Sequence, residues 1–232
     1  MHLLVINSSP YGRRGITAMM LMPFLEGIRE AGGTSEIVSL SKLTIHPCRG
    51  CYTCWFKTKN VCTRKDDMAE VIARFRKADC IVFSTPVYCD GVPGQLKVMM
   101  DRLIATGNPL LEMRDGRTRH PAPPDYTPKR FVLISSCGLW EMENFIPITT
   151  HLRAFCDNIG FEYSGALLRP HSFAMRNSPV NDILHAAKSA GYELAKNGGF
   201  ARTAADIVGR EIVSCDAYIN MINKKGEMYT ML

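Results

Sequence analysis

No stretch of the chain offers the roughly 20 consecutive apolar residues that a membrane span requires, so no membrane partner is expected. The opening residues, MHLLVINSSP, carry neither a basic leader nor a small-residue cleavage site. They do not read as a signal peptide, and a cytoplasmic location is expected. The phosphate-loop pattern G-x-x-x-x-G-K-[ST] is missing, which argues against a nucleoside triphosphate. G-x-G-x-x-G is missing too, which argues against a dinucleotide on a glycine-rich turn. There is no internal repeat, and no basic-aromatic module of the kind that binds nucleic acid. The six histidines include no pair at metal-ligand spacing, and tryptophan is limited to Trp55 and Trp140.

What the chain does have is thiols. Nine cysteines occur among 232 residues, and four of them, Cys48, Cys51, Cys54 and Cys62, fall within PCRGCYTCWFKTKNVC. In a reducing compartment disulfides are disfavoured, so such cysteines read as metal-bound, reactive or buried. The remaining composition, 46% hydrophobic and 22% charged, suits one sizeable globular domain. The net charge of +6 is scattered, but Arg49, Lys57, Lys59, Arg64 and Lys65 surround the clustered cysteines. Taken singly, each of these reads as a solvated loop residue.

Hydrophobic patterning predicts alternating strands and helices. HLLVIN (2–7), TSEIVSL (34–40), DCIVFSTPVY (79–88), RFVLISSCG (130–138) and FEYSGALL (161–168) read as strands. Helical spacing predicts helices over about 17–30, from Asp66–Asp67 with an Asp cap to about 77, over 94–105 and over about 146–159. Two more are predicted at about 180–196 and 202–223, the latter with a stripe of Val208, Ile212, Cys215, Ile219 and Ile222. Gly107 to Pro128 reads as a long loop. Five β-α steps predict a doubly wound α/β fold, flavodoxin-like, with a five-stranded parallel sheet in the order 2-1-3-4-5 and extra C-terminal helices. The expected division is residues 1–175, carrying an inserted cysteine loop at 47–63, followed by a helical extension at 176–232. That extension would pack on the same domain or at a subunit interface.

In such sheets ligands bind beyond the carboxyl ends of the strands. This rule singles out loops 8–17, 84–94 and 135–145, and places the start of the cysteine segment at the same rim. In NSSPYGRRGIT small hydroxyl residues and two glycines run into a helix N-terminus, a natural phosphate seat that Arg13 or Arg14 could strengthen, or an ordinary βα turn.

Thiolates at i, i+3 and i+6, with a fourth further on, can converge on one cluster face. A ferredoxin-type run shares the first three spacings. Zinc and free, redox-active thiols are the alternatives. Cys80, Cys156 and Cys215 read as core residues, while Cys89 lies in a rim loop as a candidate reactive thiol. His46 borders the cysteine loop and reads as a plain loop histidine or a donor to that site.

In combination these segments resemble a known family. SSPYGRRGIT resembles the S-x-P-x-x-x-G-N-T phosphate loop of the NADPH-dependent FMN reductase family. STPVYCDGVPGQLKVMMDRL resembles its second flavin segment, including Lys97, Asp101 and Arg102. Within that family the run C-x2-C-x2-C-x7-C resembles that of the iron-sulfur flavoproteins. The resemblance covers roughly residues 1–170, and one departure stands out: Ile16 replaces the usual Asn. It implies FMN phosphate on Ser9, Arg13, Gly15, Ile16 and Thr17. The flavin ring would lie against Pro86, Val87, Tyr88 and Gly91, with Ser136, Cys137 and Gly138 at the third loop. A [4Fe-4S] cluster would sit on Cys48, Cys51, Cys54 and Cys62.

The function so implied is a flavin-dependent oxidoreductase passing electrons between cluster and FMN. Its donor would be a ferredoxin-like protein or NAD(P)H, and its acceptor a small quinone, nitro compound, dioxygen or peroxide. Trp55 and Trp140 would shield the redox centres or simply pack in the core. No side chain is expected as general acid or base. A homodimer or homotetramer is expected. The alternatives are an NAD(P)H-dependent FMN reductase without a cluster, and a non-catalytic flavodoxin-like carrier with a zinc or free-thiol site.

Overall fold

The computed structural model describes residues 1–121 and 127–230. The elements, in chain order, are β1 (His2–Asn7), α1 (Ile16–Glu30), β2 (Thr34–Ser39), α2 (Thr53–Phe56), α3 (Met68–Lys77), β3 (Cys80–Pro86), α4 (Gly94–Arg102), β4 (Glu112–Arg114), β5 (Arg117–Arg119), β6 (Arg130–Ser136), α5 (Ile146–Ile159), β7 (Glu162–Arg169), α6 (Asn181–Asn197), α7 (Arg202–Gly209) and α8 (Cys215–Thr230). Five strands form one parallel sheet in the order β2-β1-β3-β6-β7. Counted within that sheet, this is the expected 2-1-3-4-5. None of the described helices is long and apolar enough to cross a membrane.

The apolar runs of β1, β3 and β6 are buried on both faces, because side chains alternate across the sheet and helices cover each side. Leu4, Ile6, Ile81, Phe83, Phe131 and Leu133 pack against α3, α4 and α5. Leu3, Val5, Val82, Val132 and Ile134 pack against α1, α6 and α7. Cys80 and Cys156 are fully buried in these two cores.

Helices α1 and α6 cross with their backbones in near contact. A Cβ on Gly27 would overlap the carbonyl oxygen of Lys188, and a Cβ on Gly191 would overlap that of Phe24. This reciprocal pair of glycines lets α6 lie against α1 and complete the cover of one sheet face.

Three expectations need correction. The segment Gly107 to Pro128 is not one long loop: β4 and β5 form an antiparallel hairpin within it, while residues 122–126 lie outside the described residues. Its two-residue turn is Asp115-Gly116, both in the left-handed region (φ 51° and 70°), as a primed turn demands. Arg114 ties the hairpin to the C-terminus of α5 by donating to the carbonyls of Asp157 and Asn158 (both 3.2 Å).

The single helix expected at 202–223 is broken into α7 and α8. Buried groups from another part of the chain take the backbone partners that would continue it. Arg169 donates to the Val208 carbonyl (2.8 Å), and the Ile212 N–H donates to His171 Nε2 (3.2 Å). Ser214 then opens α8 by accepting from the Ala217 N–H (3.3 Å). The proposed stripe is divided accordingly: Val208 is buried, whereas Ile219 is 47% exposed.

The third correction concerns the cap on α3. Asp67 occupies the N-cap position without capping through its side chain. Its carboxylate instead accepts from the Thr44 N–H (2.7 Å), and the neighbouring Asp66 accepts from Met68 (3.2 Å).

The glycine crossing is testable. Gly191→Ala gains about 1 kcal/mol of helix propensity. It also forces α1 and α6 apart, which costs about 1–3 kcal/mol for overpacking. A lower urea midpoint is expected; an unchanged or raised midpoint would show that the two backbones do not meet this closely.

Candidate functional site

At the carboxyl rim of the sheet, hydroxyl side chains tie neighbouring strand ends together. Ser8 donates to Thr85 Oγ1 (2.6 Å), and Ser135 donates to the Thr85 carbonyl (2.8 Å). Thr17, in the first turn of α1, shares a 2.6 Å hydrogen bond with Ser136. The first loop and the strand ends β3 and β6 are thereby drawn into one wall. Two polar atoms in that wall, Asn7 Nδ2 and Ser84 Oγ, are buried with no hydrogen-bond partner among the described residues.

Gly15 is the N-cap of α1 and supplies no side-chain cap, so the first N–H groups of the helix keep their capacity to bind an anion. A Cβ on Gly15 would come within 2.5 Å of Ser9 Oγ. Glycine is what allows the loop to close over Ser9 here. Ile16 packs partly against the α1 side of the core, an apolar role that the Asn of the family pattern would not fill. Arg13 is exposed and lines a surface cavity with Ser39, Lys42, Asp67 and Glu70 at the β2 edge.

The second and third loops are also joined. Val87 donates its N–H to the Ser136 carbonyl (2.8 Å). Tyr88 and Gly91 exchange both backbone hydrogen bonds (3.0 Å each) around Cys89 and Asp90, whose φ values are 46° and 62°. Two consecutive non-glycine residues in the left-handed region are costly. The turn they form places Tyr88, 45% exposed, at the rim.

In the third loop, the Cys137 thiol is buried and accepts from the Leu139 N–H (3.4 Å), and burial pushes its pKa up. Gly138 faces the ring of Phe173, and its carbonyl accepts from the Tyr218 hydroxyl of α8 (2.5 Å). Hydrogen bonds thus join Thr17, Val87 and Ser136 at the rim, with Ser9, Gly15 and Cys137 on the loops beside them. Pro86, Tyr88, Gly91 and Gly138 lie on the same loops.

Four residues behind the third loop were not singled out from the sequence: Arg169, His171, Phe173 and Tyr218. The available signal was positional, since β7 ends at this rim and its following loop must lie there. His171 is buried in a left-handed conformation (φ 38°). Its Nε2 accepts from both Arg169 Nη2 (2.7 Å) and the Ile212 N–H (3.2 Å), so the ring is neutral with its proton on Nδ1, facing the Trp140 carbonyl (3.4 Å). Trp140 stacks on the same ring at 4.2 Å. Burial, followed by the Arg169 charge, lowers the His171 pKa to about 4. Burial also lowers that of Arg169 to about 10 and raises that of Tyr218 to about 12.

The cysteine segment is clamped at both ends by one ion pair. Arg102, the last residue of α4, is 2% exposed and binds Asp66 through Nη1 (2.6 Å) and Nη2 (3.1 Å). Nη1 also donates to the His46 carbonyl (2.8 Å), and the His46 N–H donates to Asp66 (3.0 Å). Burial alone would raise the Asp66 carboxyl; the Arg102 bond and two backbone N–H groups outweigh it and hold the pKa at about 2.

Between the clamped ends, Trp55 anchors α2 by donating to the Ile104 carbonyl (2.7 Å) and packs against His120 from beyond the hairpin (ring centroids 5.0 Å apart). Cys48, Cys51, Cys54 and Cys62 all line one cavity of about 250 Å³, together with Arg49, Arg64 and Arg102. Among the described residues, no three His, Cys, Asp or Glu side chains stand in position to hold a metal ion. The thiols are unlike one another. Cys51 is exposed, and a hydrogen bond from the Thr53 side chain lowers its pKa; Cys54 is buried, and desolvation followed by the nearby Cys62 raises its pKa.

A doubly wound sheet whose carboxyl rim carries an uncapped helix N-terminus, a hydroxyl wall and an aromatic turn defines a flavodoxin-like protein. The chain belongs to the NADPH-dependent FMN reductase family, a family of flavin-dependent oxidoreductases, whose sequence model matches residues 1–118. It is 36% identical over 102 residues to an iron-sulfur flavoprotein of Methanocaldococcus jannaschii, covering 44% of this chain and 51% of that one. It is 37% identical over 102 residues to an iron-sulfur flavoprotein of Archaeoglobus fulgidus, covering 44% and 48% respectively. The chain spans about half the length of these curated relatives. Among solved structures it resembles an FMN-dependent NADH-azoreductase from Bacillus anthracis in complex with FMN (TM-score 0.60, 18% identity, 86% of this chain and 100% of that one). It also resembles an NAD(P)H:quinone oxidoreductase from Methanothermobacter marburgensis (TM-score 0.56, 19% identity, 84% and 96%). At those identities the likeness is one of fold.

Two outcomes follow from the geometry. Asp66→Ala leaves the buried Arg102 charge uncompensated and is expected to cost about 3–5 kcal/mol in denaturant unfolding; a loss under about 1 kcal/mol would contradict the clamp. His171 stays neutral in the fold down to about pH 4, while in the unfolded chain it takes up a proton near its ordinary value of about 6.5. Its contribution is therefore intact above pH 6.5 and is lost as pH falls from there toward 4. Urea midpoints measured from pH 7 to 5 are expected to fall in the parent protein and to stay flatter in His171→Gln.

Proposed function

We propose that the protein is an FMN-dependent oxidoreductase in which a [4Fe-4S] cluster exchanges electrons with FMN to reduce a small acceptor such as a quinone or nitro compound. The observation that carries this reading is the path between the two sites. Helix α4 leaves loop 84–94 at Gly94 and ends at Arg102 on the wall of the thiol cavity. Nine helical residues span about 13 Å at roughly 1.5 Å per residue.

The rim suits FMN on this chain's own features. The α1 N-terminus, with Ser9, Gly15, Ile16 and Thr17, would hold the phosphate through N–H and hydroxyl donors, and Arg13 would add charge at the entrance. Pro86, Val87, Tyr88 and Gly91 would support the ring, with Ser136, Cys137 and Gly138 at its polar edge. The buried, unpartnered Asn7 Nδ2 and Ser84 Oγ are the polar capacity expected of a wall that serves a ligand.

The donor set of the second cavity suits a cluster. Cys48, Cys51, Cys54 and Cys62 are four soft thiols spaced around a cavity wider than a single ion requires, with guanidinium groups beside them to offset the negative charge of a thiolate-bound cluster. When bound, the cluster would supply one-electron transfer and FMN would supply two-electron chemistry. The chain's part is to position the two, to exclude water through Trp55 and the hairpin loop, and to present Arg49, Lys57, Lys59, Arg64 and Lys65 to an acidic donor such as a ferredoxin-like protein. Membership of an NADPH-dependent family favours NAD(P)H as the second candidate donor. The apolar rim side chains Tyr11, Tyr88, Leu139 and Phe173, each at least 45% exposed, support a homodimer or homotetramer built across this rim.

The test is a visible spectrum of anaerobically purified protein with iron, acid-labile sulfide and FMN assays. About four irons, four sulfides and one FMN per chain are expected. Cys54→Ser should lose the iron and keep the FMN. FMN without iron, even after cluster reconstitution, would move the reading to a cluster-free NAD(P)H-dependent FMN reductase.

A further inference from the structure

Arg102 holds more hydrogen-bonding capacity than its clamp uses. Nη1 and Nη2 are committed to Asp66 and the His46 carbonyl. Nε is buried and has no hydrogen-bond partner among the described residues. A buried N–H left without a partner is costly, and native structures rarely keep one without a use. The residue lies on the wall of the cavity that Cys48, Cys51, Cys54 and Cys62 line. Cys62 stands close enough to act on the guanidinium both through its charge and as a hydrogen-bond acceptor.

The other cations of this cavity, Arg49 and Arg64, are more exposed than Arg102, so water and salt screen them more strongly. Arg102 is 2% exposed and fixed on two sides. Asp66 fixes the guanidinium in place, so Arg102 meets the cavity with a held charge and, at Nε, an N–H donor.

We propose that Arg102, through its unpartnered Nε, donates a hydrogen bond to a sulfur of the thiol site and thereby raises the reduction potential of the cluster held there. Reduction adds negative charge to the sulfurs, and a fixed donor stabilises the reduced form more than the oxidised one. The ion pair with Asp66 is the device that aims the donor. Arg102 is thus a tuning residue as well as a clamp. This inference rests on the cluster reading above.

The test uses the reconstituted holoprotein at high salt, where the exposed cations are screened. Arg102→Lys keeps a positive charge opposite Asp66 and removes the Nε donor. The cluster midpoint potential, followed by electron paramagnetic resonance, is expected to shift to a lower value. The FMN midpoint in the same molecule serves as an internal reference and should hold. A full iron complement with an unshifted cluster potential overturns the inference, as does an equal shift of both centres, which would mark a general packing change. Should Arg102→Lys fail to retain iron, the double change Arg102→Gln with Asp66→Asn preserves a neutral, hydrogen-bonded pair and an amide donor. It should give a potential between those of the parent and of Arg102→Met with Asp66→Asn, and equal potentials in all three overturn the inference. A parent protein that takes up no iron at all overturns the cluster reading and this inference together.

Discussion

The ion pair between Asp66 and Arg102 turns the run from His46 to Asp66, within the connection from β2 to α3, into a site. A loop of this length between strand and helix carries a closure cost in chain entropy, and its backbone has no ladder to join. The buried pair closes it at both ends, because Asp66 stands at its exit, while the His46 carbonyl and N–H at its entrance bind the same two side chains. Buried pairs are weak sources of net stability because desolvation offsets the attraction. Their contribution here is geometric: with each carboxylate oxygen accepting from the guanidinium and from a backbone N–H, the loop ends have one arrangement.

A second constraint comes from the parallel sheet, which sends every strand's carboxyl end to one rim. Short hydroxyl side chains make that convergence affordable. They satisfy one another across strand ends without bulk, leaving the backbone free to approach a ligand closely, and among the described residues only Asn7 and Ser84 contribute buried side-chain donors with no partner in that wall.

Most of the sheet was legible because its signals are local. The apolar runs of β1, β3 and β6, the hydroxyl residues at their ends and the three cysteines within seven positions each declare themselves without reference to anything distant. The Asp115-Gly116 turn was equally local, but it was hidden in a stretch dominated by prolines. Other features depend on partners far away in sequence. Gly209 and the Ser214 cap are only faint local signals of a break, because the groups that end α7 belong to Arg169 and His171. Arg102 was visible as part of a motif, yet its burial and its hold on the cysteine loop required Asp66 to be placed beside it. Tyr218 reaches Gly138 across eighty positions, and no spacing rule finds such a pair.

That last contact bears on the order in which the molecule is completed during synthesis. The thiol cavity draws on residues up to Ala105, so every residue of its lining is synthesised before α8. The third rim loop reaches its final anchorage only when the Tyr218 hydroxyl arrives from α8. The lining of the cysteine cavity is therefore synthesised well ahead of α8, and the third rim loop waits for an anchor that arrives much later.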